Sequence, residues 1–201
     1  MRCEGEIRST LIDNTIHLIA EGGFEKATTR NITRYSPPAE QFTLNEAYIY
    51  RLFGSKEGLY ASAFLLLDNE MVTALCRQIE DLQFSAGPNR ASFEALFRSA
   101  WRFLLRNEMK CRCYTRYYYS IYFRETTQRK HRVAFERIVN ALTPAFKPEA
   151  NVTAIMHGVL TMLLDYAIQV YNGDLADTEE NANHVFHVLY CVIATYLISN
   201  E

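Results

Sequence analysis

The sequence predicts an all-α protein of about nine helices, a head of three short ones followed by a larger helical body. Three observations carry this. Apolar residues recur at helical spacing along most of the 201 residues. Glycine and proline, eight and five in number, are scarce and stand mostly where the periodic runs stop. No segment needs a strand, and a hydrophobic fraction of 49% is enough to bury a core.

Ile7, Leu11, Ile12, Thr15, Ile16, Leu18 and Ile19 form one face of the first helix, which Gly22-Gly23 stops. Phe24 is expected to fold back onto that face. Thr28 caps a short second helix ending near Tyr35, and Pro37-Pro38 follows. Thr43-Leu-Asn-Glu46 matches a capping box, so a third helix is expected from Leu44 to Leu52, ended by Gly54. Ser55 caps a long fourth helix reaching about Leu82. After Gly87-Pro88-Asn89, helix is expected over residues 91–106, 114–123 and 127–142, then, past Pro144 and Pro148, over 151–171 and 179–199. There is no internal repeat.

Composition narrows the class. No early apolar run ends in a small-residue cleavage site, and the longest apolar run, Val185 to Ile198, is too short for a bilayer. The chain is expected to be cytoplasmic, with no membrane partner. Five cysteines without framework spacing fit free thiols. Cys111-Arg-Cys113, with His131 further on, is read as buried thiols rather than a metal or redox pair, and no cofactor is expected. Charge is uneven: residues 98–132 hold ten Lys/Arg and two acids, whereas 133–201 hold two Lys/Arg and eight acids. No Gly-rich phosphate loop, nucleophile elbow, H-E-x-x-H or paired-carboxylate pattern occurs, so an enzyme is not expected.

Two short helices leading into a long one suggest helix-turn-helix, whose second helix lies in the major groove of DNA. Asn45, Glu46, Tyr48, Tyr50 and Arg51 would then face outward, able to meet base edges and phosphates. Ser55-Lys56 opens the next helix, where free N–H groups and a lysine suit a phosphate. Thr28 and Thr29 offer a second such start. LIDNTIHLIAEGGFEKATTRNIT resembles the opening helix, Gly-Phe turn and Thr-rich second-helix start of the TetR family of bacterial transcriptional repressors. IYRLFGSKEGL is similar to that family's L-Y-x-Y-F-x-S-K-E-x-L signature. The resemblance covers about the first sixty residues. It implies phosphate contacts at Tyr50 and Lys56, base reading at Asn45, Glu46 and Tyr48, and phosphate-facing Thr28 and Thr29. Three departures stand out. The turn between the second and third helices is about six residues longer than the family's, with Ser36-Pro-Pro in it. Glu46 would lie next to DNA. The first sixty residues hold seven Lys/Arg against eight acids.

The resemblance implies a division into a DNA-binding domain over 1–54 and an effector-binding and dimerisation domain over 55–201. It also implies dimerisation through the last two helices. The residues allow this independently, because Val152 to Leu164 and Val185 to Ile198 are apolar on several faces. Burial within a monomer is the other reading. Trp101 and the run CRCYTRYYYSIYFRE offer aromatic walls beside arginines. Trp101, Tyr114, Tyr118, Tyr122 and Arg116 are expected to bind an anionic or aromatic small molecule. The same segment also fits core aromatics with solvated arginines, or binding to nucleic acid or an acidic protein. The expected function is a homodimeric, ligand-responsive repressor of a palindromic operator. The alternative is a helical small-molecule-binding protein whose head has lost or altered DNA binding.

Overall fold

The computed structural model describes residues 3–35, 43–82 and 89–198. Among them it holds nine α-helices: α1 (Glu4–Lys26), α2 (Thr29–Arg34), α3 (Ala47–Phe53), α4 (Lys56–Asp81), α5 (Arg90–Arg106), α6 (Glu108–Tyr118), α7 (Glu125–Leu142), α8 (Val152–Asn172) and α9 (Glu179–Ala194). No strand occurs among the described residues, and an isolated antiparallel bridge joins Phe146 to Leu197. The protein is all-α, as its periodicity predicts. The Ser36-Pro-Pro insertion and the Gly87-Pro88 turn lie outside the described residues.

The chain packs as two units. The first runs to Asp68 and includes Met109–His131; the second holds Asn69–Glu108 and the chain from Arg132 onward. These packing units cut the chain differently from a division at 54/55, because the first half of α4 and most of α6 join the head. In the first unit the expected face of α1 is buried throughout. Asn14 is buried with it, and its Nδ2 donates to the carbonyls of Ile32 (2.8 Å) and Tyr35 (2.9 Å) at the end of α2. Gly23, at φ 72°, kinks α1. Arg116 on α6 donates to the Ile19 carbonyl (2.6 Å), a group just before that kink. Beyond the kink, Phe24 packs on Tyr60, Tyr117 and Tyr122. Leu59, Tyr60, Ala63, Phe64 and Leu67 of α4 complete the core.

In the second unit, Phe93, Phe97, Trp101 and Leu104 of α5 are buried, as are Met156, Leu163 and Ala167 of α8 and Val185, Phe186, Leu189 and Ile193 of α9. Side chains of Asn89, Asn151 and Thr178 cap α5, α8 and α9 by accepting from the third backbone N–H beyond each. Among the described residues, α4 and α8 are each long and apolar enough to cross a membrane, by length and composition alone. Much of the apolar surface of α8 lies outside the unit's core.

Two expected helices are corrected. The third does not begin at Leu44 with a Thr43–Glu46 capping box. The Leu44 N–H instead donates to the Thr33 carbonyl (2.8 Å), which holds this stretch out of helix. Asn45 Oδ1 then accepts from the Ala47 N–H (2.9 Å), and α3 starts there, with Glu46 making no side-chain cap. The helix expected over 114–123 ends at Tyr118. Ser120 Oγ donates to the Tyr117 carbonyl and Tyr117 Oη donates to the Tyr122 carbonyl, folding the chain into a turn.

Candidate functional site

The surface expected to meet DNA is built from the starts of α2 and α4 and from α3. Thr28 Oγ1 accepts from the Asn31 N–H (3.1 Å), so this side chain fixes the start of α2; Thr29 is half-buried. On α3, Ile49 is fully buried and pins the helix to the core. Tyr50, on the next position round, is 56% exposed. Asn45 and Glu46 are also exposed, Asn45 with its carbonyl oxygen engaged at Ala47. Arg51 bonds to Glu4 at 3.2 Å and lies 4.8 Å over the half-buried ring of Tyr48, so these two side chains hold each other. Lys56 is the first residue of α4, with Nζ 5.8 Å from the centre of the Tyr60 ring. These residues all belong to the first unit, with Arg51 and Tyr48 partly committed to each other.

The corner between α3 and α4 depends on two glycines. Gly54 ends α3 at φ 76°, a conformation that costs any other L-residue. Gly58, one turn into α4, packs on the Phe53 carbonyl: a Cβ there would lie 2.1 Å from that oxygen. Ser55 Oγ accepts from the Gly58 N–H (3.0 Å), so the Ser-Lys start is held by its own side chain. The sequence signal for Gly58 was its place in GSKEGL, and a helical glycine can mark close backbone approach. Behind the corner, Tyr60 donates to the Ala27 carbonyl. Burial, with Tyr122 and Glu57 nearby, pushes its phenol well above the ordinary value, so it stays a donor.

The residues expected to bind a small molecule are divided between the two units. Tyr114, Arg116, Tyr118 and Tyr122 belong to the first unit, whereas Trp101 belongs to the second. Tyr114 stacks on Phe64 and donates to Asp68 Oδ1 at 3.3 Å. Burial first, and then the Asp68 carboxylate, hold its phenol far above the usual range. His131 Nδ1 lies 2.9 Å from the same oxygen. Tyr118 stacks against Tyr114, and Tyr122 packs on Phe24 and Tyr60. Arg116 is spent on the Ile19 carbonyl. Cys111 and Cys113 are buried, and burial pushes the Cys113 thiol up to about 12. Among the described residues, no group of three or more His, Cys, Asp or Glu is arranged to hold a metal ion.

A cavity of about 630 Å³, counting the part open to solvent, lies within the second unit. Leu75 and Ile79 of α4 line it with Phe93, Leu96, Phe97 and Ala100 of α5. Ile138 and Leu142 of α7 and Met156, Val159, Leu160 and Leu163 of α8 continue the wall, and Phe186, Leu189, Tyr190 and Ile193 of α9 close it. Every lining side chain is uncharged, and the Tyr190 hydroxyl is the one conventional polar group among them. The α5 residues stand at i, i+3, i+4 and i+7, a face legible in the sequence as core. Trp101 is outside the lining and stacks on Phe97, ring centres 5.8 Å apart.

No family model and no curated protein sequence matches the chain. Solved structures do match it along nearly its whole length. A TetR family transcription regulator from Marinobacter aquaeolei VT8 superposes with a TM-score of 0.74 at 16% identity, covering 94% of this chain and 96% of that one. SmeT, the repressor of the Stenotrophomonas maltophilia multidrug efflux pump SmeDEF, gives 0.65 at 15% identity, covering 96% and 91%. FadR, a fatty acid degradation regulator from Bacillus halodurans, gives 0.66 at 15% identity, covering 94% and 96%. Helix order, the α3–α4 corner and these superpositions agree: the chain has the fold of the TetR-family transcription regulators.

Proposed function

We propose that this protein is a cytoplasmic, ligand-responsive DNA-binding regulator, a repressor that binds a palindromic operator as a homodimer. The observation that carries the reading is the head. A short helix anchored by Ile49 presents an exposed Tyr50, and it turns through Gly54 into a helix that opens with Ser55-Lys56. In this reading Tyr50, Lys56, Thr28 and Thr29 meet phosphates, while Asn45, Glu46, Tyr48 and Arg51 face the bases. SmeT and FadR, regulators by their descriptions, have the same fold at low identity. The effector site is the apolar cavity of the second unit rather than the tyrosine cluster. The dimer forms through α8 and α9. Val192, Tyr196 and Ile198, on α9 and just past its end, are exposed, as are Ala154, Gly158 and Thr161 of α8. A ligand acts by favouring a spacing of the two reading helices that no longer fits successive major grooves, about 34 Å apart.

Selection from random duplex DNA at low salt tests this. A palindromic site is expected. Tyr50→Phe or Lys56→Ala should weaken binding to all sequences alike, the second with a shallower salt dependence. If no palindrome is enriched, the alternative stands: a helical ligand-binding protein whose head has lost or altered DNA binding. One observation favours that second reading. The first sixty residues hold more acids than bases, and Arg51 of α3 is paired with Glu4.

A further inference from the structure

The cavity's own chemistry narrows its ligand. Its wall has no charged side chain, so an ion deep inside would lose its water with nothing in return. A charge on the ligand must therefore sit outside this wall, and Arg90 packs on two of its rings. Arg90, the first residue of α5, is exposed, and its guanidinium carbon lies 5.7 Å from the Phe186 ring centre and 5.3 Å from that of Tyr190. Both rings line the cavity. Arg98, two turns along the same helix, is taken by Glu94 (3.4 Å) and Glu179 (2.8 Å). Arg90 makes no ion pair among the described residues, so its fork of donors is open to a carboxylate.

We propose that the cavity takes an amphiphilic anion, a flexible alkyl chain with a carboxylate head, the chain among the aliphatic and aromatic side chains and the head on Arg90. This inference rests on the cavity being the effector site and names the ligand class for it.

Trp101 is the sole tryptophan and stacks on Phe97 of the cavity wall, so its fluorescence reports filling. The test titrates the full chain with decanoate, dodecanoate and tetradecanoate and with the matching alcohols, below their micelle concentrations, and repeats this with Arg90→Gln. Affinity should rise about fourfold per methylene. Each acid should bind at least about tenfold tighter than its alcohol, as a charge-assisted pair would give. Arg90→Gln should erase that advantage and leave the alcohols unchanged. Equal binding of acid and alcohol by the parent protein, or no binding of either, overturns the ligand class without touching the regulator reading. Arg90-dependent acid binding that leaves affinity for the selected DNA unaltered overturns the effector reading and leaves the ligand class standing.

Discussion

At the scale of single residues, two opposed effects meet at Gly58. Alanine is favoured over glycine within a helix by about 1 kcal/mol. Its Cβ, however, would fall 2.1 Å from the Phe53 carbonyl, a backbone atom that cannot swing aside. Forcing a group into a filled space costs about 1–3 kcal/mol. Gly58→Ala should therefore lower the urea midpoint; a raised midpoint would mean that the α3–α4 corner is loose. Cys113 gives a prediction in pH. Burial raises its thiol from an ordinary value of 9.0 to about 12. The folded state keeps a proton that the unfolded chain loses, so the contribution is complete below pH 9 and is lost as pH rises towards 12. The slope approaches about 1.4 kcal/mol per pH unit. Tyr60 and Tyr114 shift in the same sense, so the measurement is a difference. Between pH 9 and 11 the urea midpoint of Cys113→Ala should fall less steeply than that of the parent.

At the scale of elements, α8 is the helix whose surroundings are unfinished. Gly158 is exposed, and a Cβ there would meet nothing within 4 Å. A side chain at this position is therefore harmless to the folded single chain but would intrude on the partner helix of the proposed dimer. Gly158→Glu should leave the circular dichroism unchanged and shift sedimentation from dimer to monomer; an unaltered dimer would move the interface away from this face. Most elements were legible in the sequence for the same reason that α8 was. Apolar periodicity and side-chain caps such as Asn89, Asn151 and Thr178 are local signals. The failures were non-local. Thr33, eleven positions back in the chain, draws Leu44 out of its helix, and the end of α6 is set by tyrosine hydrogen bonds. Arg116 bonds the Ile19 carbonyl, ninety-seven positions away, a contact that nothing in its neighbourhood of sequence reveals. The cavity wall draws on five helices, so no single stretch could display it.

At the scale of the whole molecule, α4 and α7 each run through both packing units. α4 carries Lys56 and Tyr60 in the first and Leu75 and Ile79, at the cavity, in the second; α7 carries Thr127 and His131 in the first and Ile138 and Leu142, also at the cavity, in the second. Asp68 and His131 are the residues at which these helices leave the first unit, and they are bonded to each other at 2.9 Å, both buried. Under the proposed function, a ligand in the cavity would touch the second-unit ends of both helices, and the Asp68–His131 bond joins their first-unit ends. Asp68→Asn keeps the shape and an oxygen that can still accept from Tyr114 and His131, so it weakens the tie only by removing the charge. Coupling between sites in regulators typically changes affinity by about 5- to 150-fold. In the Asn variant the change in operator affinity caused by dodecanoate should fall towards one, while dodecanoate binding, read from Trp101, stays as in the parent. Full coupling in that variant would show that the charge in the Asp68–His131 tie does not carry the transmission.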